Sequence, residues 1–75
     1  MNDFIFDIEF DYFKGFKWWN VYFGPRDFGQ RVHFGAYVTK RDAERIVEHL
    51  SHLNNETLQI IYDNMRELES SNNEK

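Results

Sequence analysis

Cysteine is absent from these 75 residues, which excludes disulfide staples, a thiolate nucleophile and a Cys-based zinc site. Proline occurs once, at Pro25, and glycine four times, so places where an element must break are few. No apolar run approaches the roughly 18 residues a membrane helix needs. Met1 opens straight into alternating sequence, so neither a membrane partner nor a signal peptide is expected, and the expected location is cytoplasmic. Bases are missing from residues 1–13, which carry Asp3, Asp7, Glu9 and Asp11. What is abundant is aromatic: eight Phe, four Tyr and two Trp, within a hydrophobic fraction of 41% and a net charge of −4. That apolar mass excludes a disordered chain, and the length excludes two separate cores and most enzyme folds with deep pockets.

Charge is segregated along the chain. Residues 14–45 hold seven bases (Lys14, Lys17, Arg26, Arg31, Lys40, Arg41 and Arg45) against Asp27, Asp42 and Glu44. Residues 46–75 are again acidic, so a basic middle lies between two acidic ends.

Phe4, Phe6, Ile8, Phe10 and Tyr12 recur at period two, with Asp7, Glu9 and Asp11 on the opposite parity. The pattern predicts a strand over 4–13 with one buried face. Lys14-Gly15 supplies a two-residue turn, and 16–23 is a second strand. Pairing Phe13 with Phe16 places Phe10 opposite Trp19, Ile8 opposite Val21 and Phe6 opposite Phe23 on the apolar face. The other face then pairs Asp11 with Trp18, Glu9 with Asn20 and Asp7 with Tyr22, and a slip of one residue would bury the acids. After a loop over 24–30, residues 31–38 form a third strand with Val32, Phe34, Ala36 and Val38 inward. Arg31, His33, Gly35 and Tyr37 point outward on this reading.

Thr39 with Asp42 has capping-box form, and Ala43, Ile46, Val47, Leu50 and Leu53 follow at helical spacing. Asn54-Asn55 ends that helix, with Asn55 the expected cap of the next, whose stripe is Leu58, Ile61, Tyr62, Met65 and Leu68. The expected fold class is α+β: a three-stranded antiparallel meander followed by two helices (β-β-β-α-α), packed on the apolar sheet face. One domain covers 1–69 and a polar tail 70–75. The expected core is Phe6, Ile8, Phe10, Trp19, Val21, Phe23, Phe34, Ile46, Val47 and Leu50.

Candidate chemistry is sparse. His49 and His52 are three apart, whereas a His-Glu-x-x-His zinc site needs four with the acid between. The hydroxyls of Thr39, Ser51, Thr57, Ser70 and Ser71 fall at caps, on helix surfaces or in the tail, and no nucleophile–base–orienter set assembles. A non-enzymatic protein without cofactor or metal is expected. The outer sheet face is the informative surface: Asp7, Glu9, Asp11, Trp18, Tyr22, His33 and Tyr37 together form an aromatic patch rimmed by acids, the composition of a protein-binding hot spot.

Two resemblances bear on function. Phe6-Asp7-Ile8-Glu9 looks like the first strand of proofreading-type exonucleases, whose Asp-x-Glu holds two metals, but that family needs further acids on later elements of a longer α/β domain. Residues 16–50 resemble the AP2-like arm-type DNA-binding domain of phage integrases, through Trp18 and Trp19 on a strand, a Gly-containing loop before a third strand, and Tyr37-Val38-Thr39-Lys40-Arg41-Asp42-Ala43. That resemblance implies a sheet facing DNA, with Lys17, Arg26, Arg31, Lys40 and Arg41 meeting phosphates or base edges. Asp7, Glu9 and Asp11 would share that face and repel the backbone.

The leading expectation is therefore a small acidic binding protein, in the style of phage or mobile-element accessory proteins and inhibitors. Its acidic-aromatic face would meet a basic, nucleic-acid-handling protein partner, as a DNA mimic or anti-defence protein does. DNA binding through the basic segment 14–45 comes second. A homodimer seamed by Leu58, Ile61, Met65 and Leu68 of the second helix comes third.

Overall fold

Alternating apolar and acidic residues produce strand β1 (Phe4–Phe13), and a two-residue turn returns the chain as β2 (Phe16–Pro25). Lys14 and Gly15 have φ of 51° and 84°. Those values belong to the type I′ turn, whose twist matches that of the strands it joins. The turn fixes the register, and every pair follows the predicted ladder, from Phe13 opposite Phe16 to Phe6 opposite Phe23. The computed structural model describes residues 3–27 and 30–73, giving the helical course alone for 70–73. Phe28 and Gly29 of the expected loop, and residues 74 and 75 of the expected tail, lie outside the described residues.

Strand β3 (Val32–Tyr37) completes an antiparallel meander in the order β1-β2-β3. Helices α1 (Lys40–Ser51) and α2 (Asn55–Asn73) follow, as the α+β reading expects. Thr39 caps α1, its Oγ1 accepting from the Asp42 backbone N–H at 3.1 Å. The cap of α2 differs from expectation: Asn54 Oδ1 accepts from Thr57 N–H at 2.8 Å. Asn55 is engaged elsewhere. Its Oδ1 accepts from Asp3 N–H and its amide donates to Asp3 Oδ2, tying the start of the sheet to the helix junction. Helix α2 also runs on into the segment read as a polar tail.

The core gathers at one end of the sheet. Phe4, Val21, Phe23, Val32, Ala43, Leu50, Leu58 and Tyr62 are its buried members, with Phe6, Ile8, Trp19, Phe34, Ile46 and Val47 packed against them. Helix α1 contacts all three strands, and α2 lies against β3. The Tyr62 ring meets Phe4 and Phe23 edge-on at 6.1 and 5.9 Å. The body is a thin slab, 38 × 35 × 17 Å, one sheet and one helical layer deep.

One expected core residue, Phe10, and two residues read as inward on the third strand, Ala36 and Val38, are not in it. Phe10 is 56% exposed although it shares the inner parity with Ile8 and Phe6. Strand β3 pairs only with Trp19–Phe23 of β2, so Phe10 lies in the last three-stranded row, beside Trp19 and Tyr37, at the outer edge of the sheet. Beyond it the hairpin continues as a two-stranded ribbon carrying Tyr12, Phe13 and Phe16. Ala36 and Val38 are also exposed, for a reason given below. Phe10→Ala is therefore expected to cost only about 1 kcal/mol, chiefly the contact with the Trp19 ring 5.1 Å away. Urea denaturation will check this, since a loss of several kcal/mol would mean that the ribbon is covered in solution.

Candidate partner-binding face

Both helices pack on the inner side of the sheet, through the core residues named above. The outer side presents Asp7, Glu9 and Asp11 from β1, Trp18, Asn20 and Tyr22 from β2, and His33 and Ala36 from β3. Cross-strand pairing sets three rows across it: Asp11 beside Trp18; Glu9, Asn20 and Ala36; and Asp7, Tyr22 and His33. Glu9, Asp11 and His33 are exposed, while Asp7, Trp18 and Tyr22 are half-buried.

A polar cluster organises the middle of this face. Asn20 is only 7% exposed, and its Oδ1 lies 3.0 Å from His33 Nε2, so the imidazole with its proton on Nε2 donates to it. The Tyr22 ring packs against the His33 ring at 5.2 Å. Arg31 forms an ion pair with Asp7. Reaching β1 from the start of β3 means crossing β2, and the Arg31 stem does so beside Gly24, where any Cβ would lie 3.0 Å from Arg31 Cγ. The missing side chain at Gly24 is what lets the guanidinium cross. The Asp7–Arg31 pair removes one charge of each sign, leaving Glu9 and Asp11 without a described ion-pair partner.

Tyr37 does not belong to this face. The β2–β3 ladder shifts between Val21 and Tyr22: His33 opposes Tyr22 but Gly35 opposes Val21, leaving Phe34 as the extra residue of a β-bulge. An extra residue reverses the parity of everything after it, so Tyr37 pairs with Trp19 on the inner face and Ala36 turns outward. Tyr37 folds back over Gly35, where a Cβ would sit 2.9 Å from its hydroxyl, and burial pushes the phenol above its usual pKa. Val38 lies past the strand end and is 78% exposed.

The five bases of the DNA-binding expectation do not converge. Lys17 pairs with Tyr12 on the inner parity of the ribbon. Arg26 follows the far end of β2, where its backbone N–H donates to Asp3 O at 2.8 Å. Lys40 and Arg41 open α1, and Arg31 is held by Asp7. The stripe expected to seam a dimer is used inside the chain: Leu58 is fully buried, Ile61 and Met65 pack on the core, and only Leu68 is exposed, at 62%.

Other features offer less chemistry. His49 and His52 are exposed at the end of α1, and no group of three or more His, Asp or Glu among the described residues is placed to share a metal ion. An open cleft of about 400 Å³ is lined by Pro25, Gln30, Gln59, Tyr62, Asp63 and Arg66. Its polar groups already serve one another: Tyr62 donates to Gln30 O, Gln59 to Asp63, and Arg66 lies over the Tyr62 ring. No helix among the described residues is long and apolar enough to cross a membrane. Comparison with family models, with curated proteins and with solved structures finds no match.

Sequence parity located Asp7, Glu9, Asp11, Trp18, Tyr22 and His33 on the outer face. The buried Asn20 was missed as a site residue. Its outward parity was legible, but its contact with His33 depends on the register of β3, which the bulge shifts.

Proposed function

We propose that the protein is a non-enzymatic binding module whose outer sheet face engages a basic surface of a partner protein, the kind of surface that handles nucleic acid. An inhibitor that occupies such a surface in place of DNA, as accessory proteins of phages and mobile elements do, fits this chemistry. The observation that carries the reading is the juxtaposition of half-buried Trp18 and Tyr22 with Glu9 and Asp11, on a face that neither helix packs against. Aromatic rings supply contact area at low entropic cost, and the acids steer a cationic partner before contact.

Arg31→Ala distinguishes this reading from DNA binding by sign. Removing the guanidinium leaves Asp7 unpaired and makes the face more acidic. Association with a basic protein should then quicken, whereas a DNA-binding protein would lose a phosphate contact and about one unit of salt slope. Trp18→Ala should weaken the protein complex by about 2 kcal/mol, mostly through faster dissociation. Affinity purification from the native host, with nucleic-acid detection on the eluate, supplies the partner for these measurements. Tight duplex binding at physiological salt, in gel-shift titrations at two salt concentrations, would overturn the proposal.

A further inference from the structure

The two long edges of the sheet are finished differently. On β3, the His33 backbone N–H donates to Glu69 Oε2 of α2 at 3.3 Å, so the helix covers that edge. Strand β1, ten residues long, forms the other edge, and among the described residues no strand pairs with its outer side. In a two-residue hairpin the residues flanking the turn exchange both backbone bonds, and bonded and non-bonded pairs then alternate. Odd-numbered residues of β1 therefore bond to β2, while Phe6, Ile8, Phe10 and Tyr12 direct their N–H and C=O groups away from the sheet. Tyr12 N–H is met by the Asp11 side chain at 2.9 Å. Among the described residues, nothing accepts from the edge amides of Phe6, Ile8 and Phe10.

We propose that this open edge takes up an extended segment of the partner as a fourth strand, one in which basic and apolar residues alternate. The inference rests on the basic partner proposed above and names how it is read. Charge complementarity selects the occupant. A strand beside β1 places every second side chain next to Asp7, Glu9 and Asp11 on the outer face, and the residues between them next to Ile8, Phe10 and Tyr12 on the inner face. Lys or Arg fits the first set and an aliphatic or aromatic side chain the second. A second copy of this chain fits poorly, because antiparallel β1–β1 pairing centred on Ile8 sets Asp7 opposite Glu9 twice.

The test uses the intact chain and a short synthetic peptide alternating Lys with Val, compared with a block peptide of the same composition. The alternating peptide should bind at least about tenfold tighter, because only its order matches the two faces. N-methylation of the alternate residues whose N–H groups face β1 should abolish binding, and N-methylation of the other set should leave it. Phe10→Pro removes an edge donor without breaking a bond to β2 and should weaken binding about tenfold, against about threefold or less for Phe10→Ala. The methylated peptides decide the matter even if Phe10→Pro unfolds. Equal affinity for block and alternating peptides, indifference to the methylated set, or a β1-mediated dimer in sedimentation would each overturn the proposal. Peptide binding that is lost with Trp18→Ala yet indifferent to methylation would do so while leaving the outer-face reading intact.

Discussion

Phe23→Ala is expected to remove a large share of the protein's folding stability. The ring is wholly buried and meets four others, Phe4, Phe6, Phe34 and Tyr62, each at about 6 Å. Removing it takes away the transfer energy of a large side chain and leaves a cavity that β2, paired on both sides, cannot close. Such truncations cost about 3–5 kcal/mol. A domain of this length has about 4–11 kcal/mol in all. Calorimetry or urea denaturation of the variant beside Phe10→Ala gives the contrast. Two Phe residues in one hairpin, both on the inner parity, should differ several-fold in cost because only one lies under the helices. Similar losses in the two would mean that the core is centred elsewhere.

Gly24→Ala should be damaging for the opposite reason, at a smaller cost. Gly24 is buried, and a Cβ there would overlap the Gln30 carbonyl oxygen and stand 3.0 Å from Arg31 Cα. Both are backbone atoms, so relief requires the start of β3 to move. That segment holds the Arg31–Asp7 ion pair and the Gln30 carbonyl that accepts from Tyr62, so the strain spreads to the outer face and to α2. A cost of about 1–3 kcal/mol is expected for inserting the methyl. At about 4–8 °C per kcal/mol for a domain this size, thermal unfolding will register it clearly. A wild-type melting temperature would show that the segment yields without loss.

The hairpin was legible because two independent signals agree on it: the alternation of acids with aromatics, and a turn of fixed length. No second signal existed for β3. With aromatics at Phe34 and Tyr37, the strand alternates acceptably in either phase, and only Gly35, a glycine inside a strand, hints at the bulge that turns Tyr37 inward. The extent of the core was hidden for a different reason. The apolar face from Phe4 to Tyr12 is uniform in sequence, and only the placement of the two helices, α1 across the strands and Tyr62 of α2 over Phe4 and Phe23, decides which part is dry. Adjacent Asn54 and Asn55 are equivalent as caps until Asp3 claims one of them. The acids and rings of the candidate face followed from register alone. The ion pair that neutralises one of those acids did not, since it depends on a gap in a strand between its partners.

The bond between Asp3 and Asn55 has a kinetic side. It joins residues 52 apart in the chain, whereas the turn closes Phe13 on Phe16 across two residues. Loop-closure entropy separates these events by about 2.5 kcal/mol. The hairpin, with Phe4 opposite Pro25 at its far end, can therefore form early and repeatedly, while the tie from Asp3 to Asn55 waits for the chain to come back at the junction of the two helices. What the Asp3–Asn55 bond adds is a late clamp on the start of a strand that the turn has already brought into place.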